Sequence, residues 1–188
     1  MLRPFGPDLY VAEGPTVSFF GFPYPTRMAV ARLSSGQAWV WSPVALTAEL
    51  ARSVAAIGPV GCIVSPNKLH HLFLPEWKDR WPDARLFAPP GLARKKKGVR
   101  FDATLADQAD ESWAHDIDQV VFRGSLAMDE VVFFHRASRT AIFGDLIQRF
   151  SEDASRGWKG LLLRLDGVAG PHGSTPREWR LSFVSRKV

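Results

Sequence analysis

Three short apolar runs, "AWVWSPV", "GCIVS" and "ARLFA", alternate in this chain with two helix-patterned segments, and that alternation limits the available folds more than any other feature. Neighbouring strands that run the same way need a long crossover, and a helix is the usual one. The segment "TAELARSVAAIGPV" supplies the first crossover. Leu50, Val54 and Ile57 recur at helical spacing, Thr47 stands at the cap position, and Gly58 with Pro59 ends the pattern. "GCIVS" has no polar face, as expected of a strand covered on both sides. The second crossover is read from "SPNKLHHLFLPEW", with Ser65 as cap, Pro66 in the first helical position, Leu69, Phe73 and Trp77 on one face, and Pro75 kinking or restarting the helix. Two strand–helix–strand units imply parallel pairing within a mixed sheet.

Other strands flank this unit. "TVSFFGF", "RMAVARL" and "QAWVWSPV" read as a meander, and "EVVFFHR" with "RTAIFGDLI" reads as a hairpin closed through "AS". The polar stretch "ARKKKGVRFDATLADQADESWAHD" is expected to run over the surface into a strand at "IDQVVFRG". From 151 through "GPHGSTP" the text is loop-like, and "TPREWRLSFVSRKV" reads as a closing helix with Thr175 as cap and Pro176 at its first position. No repeat of fixed period is present.

At 188 residues, 46% hydrophobic and 23% charged, the chain suits one globular domain spanning 1–188. Seven Trp and thirteen Phe supply the bulk for a core. Cys62, the single cysteine, has no intrachain partner for a disulfide, which fits a reducing cytoplasm. The N-terminus lacks a secretory pattern, and no segment reaches the about 20 apolar residues of a membrane span, so no membrane partner is expected. The net charge of +5 is concentrated in "RKKK" at 94–97 and in the tail. Without basic residues spread over one face between stacking aromatics, nucleic acid is not an expected partner. Phosphate loops, paired Cys-x-x-Cys and Gly-x-Ser-x-Gly elbows are absent.

Taken in order, "TRMAVARLSSGQAWVWSPVALT", "SPNKLHHLFLPEW", "PDARLFAPPGLARKK" and "DEVVFFHRASRTAIFGDLI" resemble a bacterial family of uncharacterised domains related to the metallo-β-lactamase fold, over nearly the whole chain. The resemblance implies an α/β protein with a layered αββα sandwich: two mixed sheets, helices outside, and metal ligands clustered at one sheet edge. It also implies that the chain is either a C-terminally shortened version or has lost one late element, because the superfamily's last histidine follows a late strand.

The superfamily's two-metal members carry His-x-His-x-Asp-His after a buried strand. By resemblance those positions fall here on Pro66, Lys68, His70 and His71, so only His71 is matched in kind. Asp145 in "FGDLI" matches the bridging aspartate, while Ser125 stands where another histidine is expected. Pro66 has no ligand atom, Lys68 is a cation, and Ser125 is a poor substitute for imidazole. Two readings follow. Either the site is a remnant near Asp145, with the ammonium of Lys68 in a metal's place and Arg139 or His135 as further partners, or one Zn, Fe or Mn ion survives on His70, His71 and Asp145, helped by His135. The remnant reading is preferred, with no cofactor or metal expected. His115 and Asp116 read as a solvated loop. The expected function is that of a diverged, non-hydrolytic protein binding a small molecule or a protein partner; the alternative is a metal-dependent hydrolase with an atypical single-metal site. Leu181, Phe183 and Val184 on the terminal helix suggest a homodimer contact.

Overall fold

The strands β4 (Ala38–Trp41), β5 (Val60–Val64) and β6 (Arg85–Ala88) lie side by side and parallel, joined by α1 (Ala48–Ala55) and α2 (Leu74–Arg80). This is the arrangement that the two strand–helix–strand units require. The computed structural model describes residues 1–19, 22–126, 129–150, 157–169 and 173–183. Thr47 caps α1 by accepting the Leu50 N–H at 3.1 Å, while Leu50 and Val54 turn into the core. The meander is β2 (Leu9–Phe19), β3 (Phe22–Arg32) and β4, antiparallel throughout. A short β1 (Arg3–Gly6), which the sequence reading did not contain, pairs with β2. Beyond β6 lies β7 (Ala103–Thr104), so the described strands of this mixed sheet run in the order β1 to β7.

The second sheet, among the described residues, is the antiparallel set β10 (Thr140–Ile142), β9 (Glu130–His135) and β8 (Ile117–Phe122). It is antiparallel where a mixed sheet was expected. The β9–β10 hairpin turns through Arg139, at φ 52°.

Period-two alternation along the strands sends side chains to two separate cores. Trp39, Cys62, Val64 and Phe87 meet Ile117, Val121, Val131 and Phe133 between the sheets. On the opposite face of the large sheet, Val40, Ile63 and Leu86 are covered by Leu50, Val54, Leu74 and Trp77, and by Leu92 of α3 (Leu92–Lys95). Burial raises the Cys62 thiol to about 11 against a hydrogen bond from Ser112, leaving it an inert core residue.

Four segments differ from the sequence reading. Residues 65–73 are not helical, and α2 starts at Leu74, with Pro75 in its first turn where a missing N–H costs nothing. The polar excursion is not all surface, since Trp113 is fully buried against Trp39 and Phe87. The expected loop after 151 contains α4 (Gly157–Asp166). The closing helix is α5 (Arg177–Ser182), whose N-cap residue is Pro176 and not Thr175. Of the apolar residues assigned to a dimer contact, Leu181 is exposed, Phe183 packs its ring on Phe122, and Val184 lies outside the described residues. Among the described residues no helix is long and apolar enough to cross a membrane.

Candidate functional site

The C-terminal ends of β4 and β5 meet the start of β9 and the segment after β10 at one edge of the sandwich. Two main-chain contacts fix that junction: Asn67 forms an isolated bridge with Glu130, and the Val131 N–H donates to the Pro66 carbonyl at 2.8 Å. Ser42 follows β4, Asn67 and His70 follow β5, Glu130 opens β9, and Asp145 follows β10. Backbone ends of both sheets therefore deliver five polar side chains to one place.

Those side chains form a continuous hydrogen-bonded chain. Asn67, fully buried, donates from Nδ2 to Glu130 Oε2 and to Asp145 Oδ2, both at 2.9 Å. His70 Nε2 lies 3.2 Å from the same Asp145 oxygen, and its Nδ1 lies 2.5 Å from Ser42 Oγ. Glu130, only 1% exposed, also accepts the main-chain N–H groups of Gly144 (2.8 Å), Asp145 (2.6 Å) and Leu146 (3.1 Å). The Ser65 hydroxyl holds the intervening loop by donating to the carbonyls of Asn67 and His70. Trp41 lies against the His70 ring at 5.8 Å between centroids, and its buried Nε1–H meets no acceptor among the described residues.

Burial opposes protonation of His70, but the hydrogen bond and charge of Asp145 and the charge of Glu130 outweigh it and raise its pKa. Burial likewise opposes ionisation of Asp145, yet His70 and the Asn67 amide hold its pKa below the usual carboxylate range. For Glu130 the burial wins. Its pKa is raised despite the N–H groups it accepts, with the nearby Asp145 charge adding to the effect.

The structure separates the residues that the sequence grouped. His70 and Asp145 meet. Lys68 forms no ion pair with Asp145; its side chain lies over Gly91, where a Cβ would come within 2.9 Å of Lys68 Cε, so the imidazole of His70 takes the place expected for the ammonium. His71 donates Nδ1–H to the Leu69 carbonyl at 2.9 Å, and burial lowers its pKa. His135 is at the far end of β9 from Glu130, about 16 Å away at a rise of about 3.3 Å per residue, and bonds to Ser138 at 2.7 Å. Arg139 lies in the turn beyond it and Ser125 bonds to Ser182. His115 is exposed, as expected of a solvated loop, but Asp116 is part-buried and accepts from the Ser34 N–H and hydroxyl. Sequence reasoning missed Ser42, Asn67 and Glu130. A carboxylate opening the apolar run "EVVFFH" was the one available signal, because a buried charge demands partners.

A two-metal centre does not fit this donor set. The Asp145 oxygen facing the site already accepts two N–H groups, both Glu130 oxygens accept N–H groups, and Pro66 and Lys68 offer no ligand. Among the described residues no group of three or more His, Cys, Asp and Glu side chains is placed to hold an ion.

Solved structures share the fold. A metallo-β-lactamase from Pontibacter korlensis superposes with a TM-score of 0.65, covering 100% of this chain and 99% of its own at 14% identity. One from Hirschia baltica gives 0.62, covering 97% and 94% at 12% identity. The metallo-β-lactamase IND-7 gives 0.60, covering 96% and 91% at 14% identity. Such identities show the metallo-β-lactamase fold alone. No curated protein matches the sequence. A family model described as a domain of unknown function, DUF4336, matches residues 17–159. With well over half of its length inside that match, the chain belongs to the DUF4336 family.

Proposed function

We propose that this protein is a diverged metallo-β-lactamase-fold domain whose catalytic edge has been rebuilt as a metal-free polar site that binds a small molecule or a partner. The observation that carries this reading is the double use of Asp145 Oδ2, which accepts from both the Asn67 amide and His70. N–H groups of the protein itself occupy both lone pairs of that oxygen, while Oδ1 has, among the described residues, only a 3.4 Å contact from the Gln148 amide.

Elemental analysis of untagged protein purified without chelator tests the proposal. The expected result is zinc, iron and manganese each well below one equivalent, with a melting temperature unmoved by EDTA. One retained equivalent of metal, lost in both His70→Ala and Asp145→Ala, would instead support a single-metal hydrolase, the reading favoured by the direct contact of His70 with Asp145.

A further inference from the structure

We propose that Ser42 is a nucleophile, and that Ser42, His70 and Asp145 act as a proton-relay triad that takes an acyl group from a negatively charged ester or thioester. The proposal rests on the metal-free reading, since both imidazole nitrogens are then available for protons. Its geometry is direct. Asp145 accepts His70 Nε2–H at 3.2 Å, which leaves Nδ1 as the basic nitrogen of the neutral ring, and Nδ1 faces Ser42 Oγ at 2.5 Å. Compared with the serine-protease arrangement the ring is turned end for end, but both nitrogens are equally able to accept a proton.

One further observation marks Ser42 as more than a hydrogen-bonding residue. Its backbone is left-handed, φ 49°, between β4 and α1, a conformation that is strained in a residue with a Cβ and persists where the surroundings enforce it. A strained serine between strand and helix is also how other hydrolytic folds present a nucleophile. The indole N–H groups of Trp41 and Trp39 both meet no acceptor among the described residues, but both are enclosed in the core, and Pro43 has no N–H, so neither the indoles nor the residue after Ser42 supplies an oxyanion donor.

The substrate's negative charge is inferred from Lys68 and Arg94, whose side chains both flank Gly91, so that two cations border the loop that carries His70. In the acyl step Ser42 Oγ bonds to the carbonyl carbon, its proton passes to His70 Nδ1, and the departing alcohol or thiol takes that proton as the ester or thioester bond breaks. Water then attacks the acyl-serine, gives a proton to His70, and releases the acid while Ser42 regains its hydrogen.

Treatment of the native protein with a fluorophosphonate tests the nucleophile: Oγ displaces fluoride from phosphorus and the proton leaves through His70. The expected product carries one phosphonyl group, mapped by peptide mass spectrometry to Ser42 in the wild-type chain, so the assignment does not depend on a variant. Ser42→Ala should abolish it, and His70→Gln should slow it by about 100-fold, within the range of general-base effects. Asp145→Asn should lower the limiting labelling rate at least about tenfold and leave the half-saturating probe concentration unchanged, a split that a loosened fold would not give. For substrate charge, 4-carboxyphenyl acetate should be turned over faster than phenyl acetate, and the ratio should fall toward one in Lys68→Ala/Arg94→Ala. No adduct on the folded protein, or one that survives Ser42→Ala, overturns the triad; an unchanged ester ratio overturns the anionic substrate. Metal content measured on the same batch separates the two readings. Labelling of a metal-loaded protein sinks the metal-free site and leaves the nucleophile, whereas a metal-free protein without adduct sinks only the triad.

Discussion

Glu130 shows how strongly a single residue is specified here. A carboxylate opening an apolar strand would lose its solvation on folding, and this one is accommodated only because the main-chain N–H groups of 144–146 and the Asn67 amide all point at its two oxygens. Glu130→Gln keeps the shape and replaces one acceptor with a donor that must face another donor. The expected loss in denaturant-measured stability is about 1–3 kcal/mol, the cost of leaving a buried polar group unsatisfied. A variant as stable as the wild type would mean that the N–H groups hold their positions without the carboxylate. The sequence shows only a carboxylate opening the strand "EVVFFHR"; the partners that hold it, at 67 and 144–146, lie too far along the chain to be read from it. Asp145 and His70 were legible through the family's motif, but Ser42 was not, because its significance lies in a positive φ and in a partner 28 positions away.

At the scale of elements, apolar runs and turn residues identified the parallel strands, the first helix with its cap, and the hairpin, because burial on both faces leaves a plain pattern. The segment after β5 misled for a physical reason. Ser-Pro-Asn is both a helix-start signature and an Asx-turn signature, and the turn prevails: Asn67 Oδ1 accepts the Leu69 N–H at 2.8 Å, and the chain then bridges to β9. The helix is postponed to Leu74, and the loop thereby gained is what carries His70 to Asp145. Trp77 anchors the postponed helix by full burial and by donating its indole N–H to the Val44 carbonyl at 2.7 Å. Trp77→Phe should cost about 2–4 kcal/mol, from the space left and the unpaired carbonyl together. Thermal unfolding at fixed pH measures it, and a loss under about 0.5 kcal/mol, the size of a surface substitution, would show that α2 is held by other contacts.

Across the whole molecule the polar site joins the two sheets at one edge. Ser42, Asn67 and His70 come from the large sheet, Glu130 and Asp145 from the small one, and the apolar layer between them ends at Trp41. Apolar packing is tolerant of small sliding, whereas the hydrogen bonds of 2.9–3.2 Å from Asn67 and His70 to Glu130 and Asp145 are not, so this cluster fixes the register of one sheet over the other. Asn67 is the link, since its one amide nitrogen bonds to both carboxylates of the small sheet. Asn67→Ala should therefore open the edge without dissolving the core. The N–H groups of Gly144, Asp145 and Leu146, which rely on an oriented Glu130, should exchange with deuterium about 10–100-fold faster, equivalent to about 1.4–2.8 kcal/mol of local stability. Peptides covering β4 to β6 should keep their protection, because their hydrogen bonds lie within the large sheet. Equal acceleration everywhere would mean that the cluster supports the fold as a whole, and no acceleration at 144–146 would mean that the apolar faces and the main-chain bridge at Asn67 and Glu130 hold the register without the Asn67 amide.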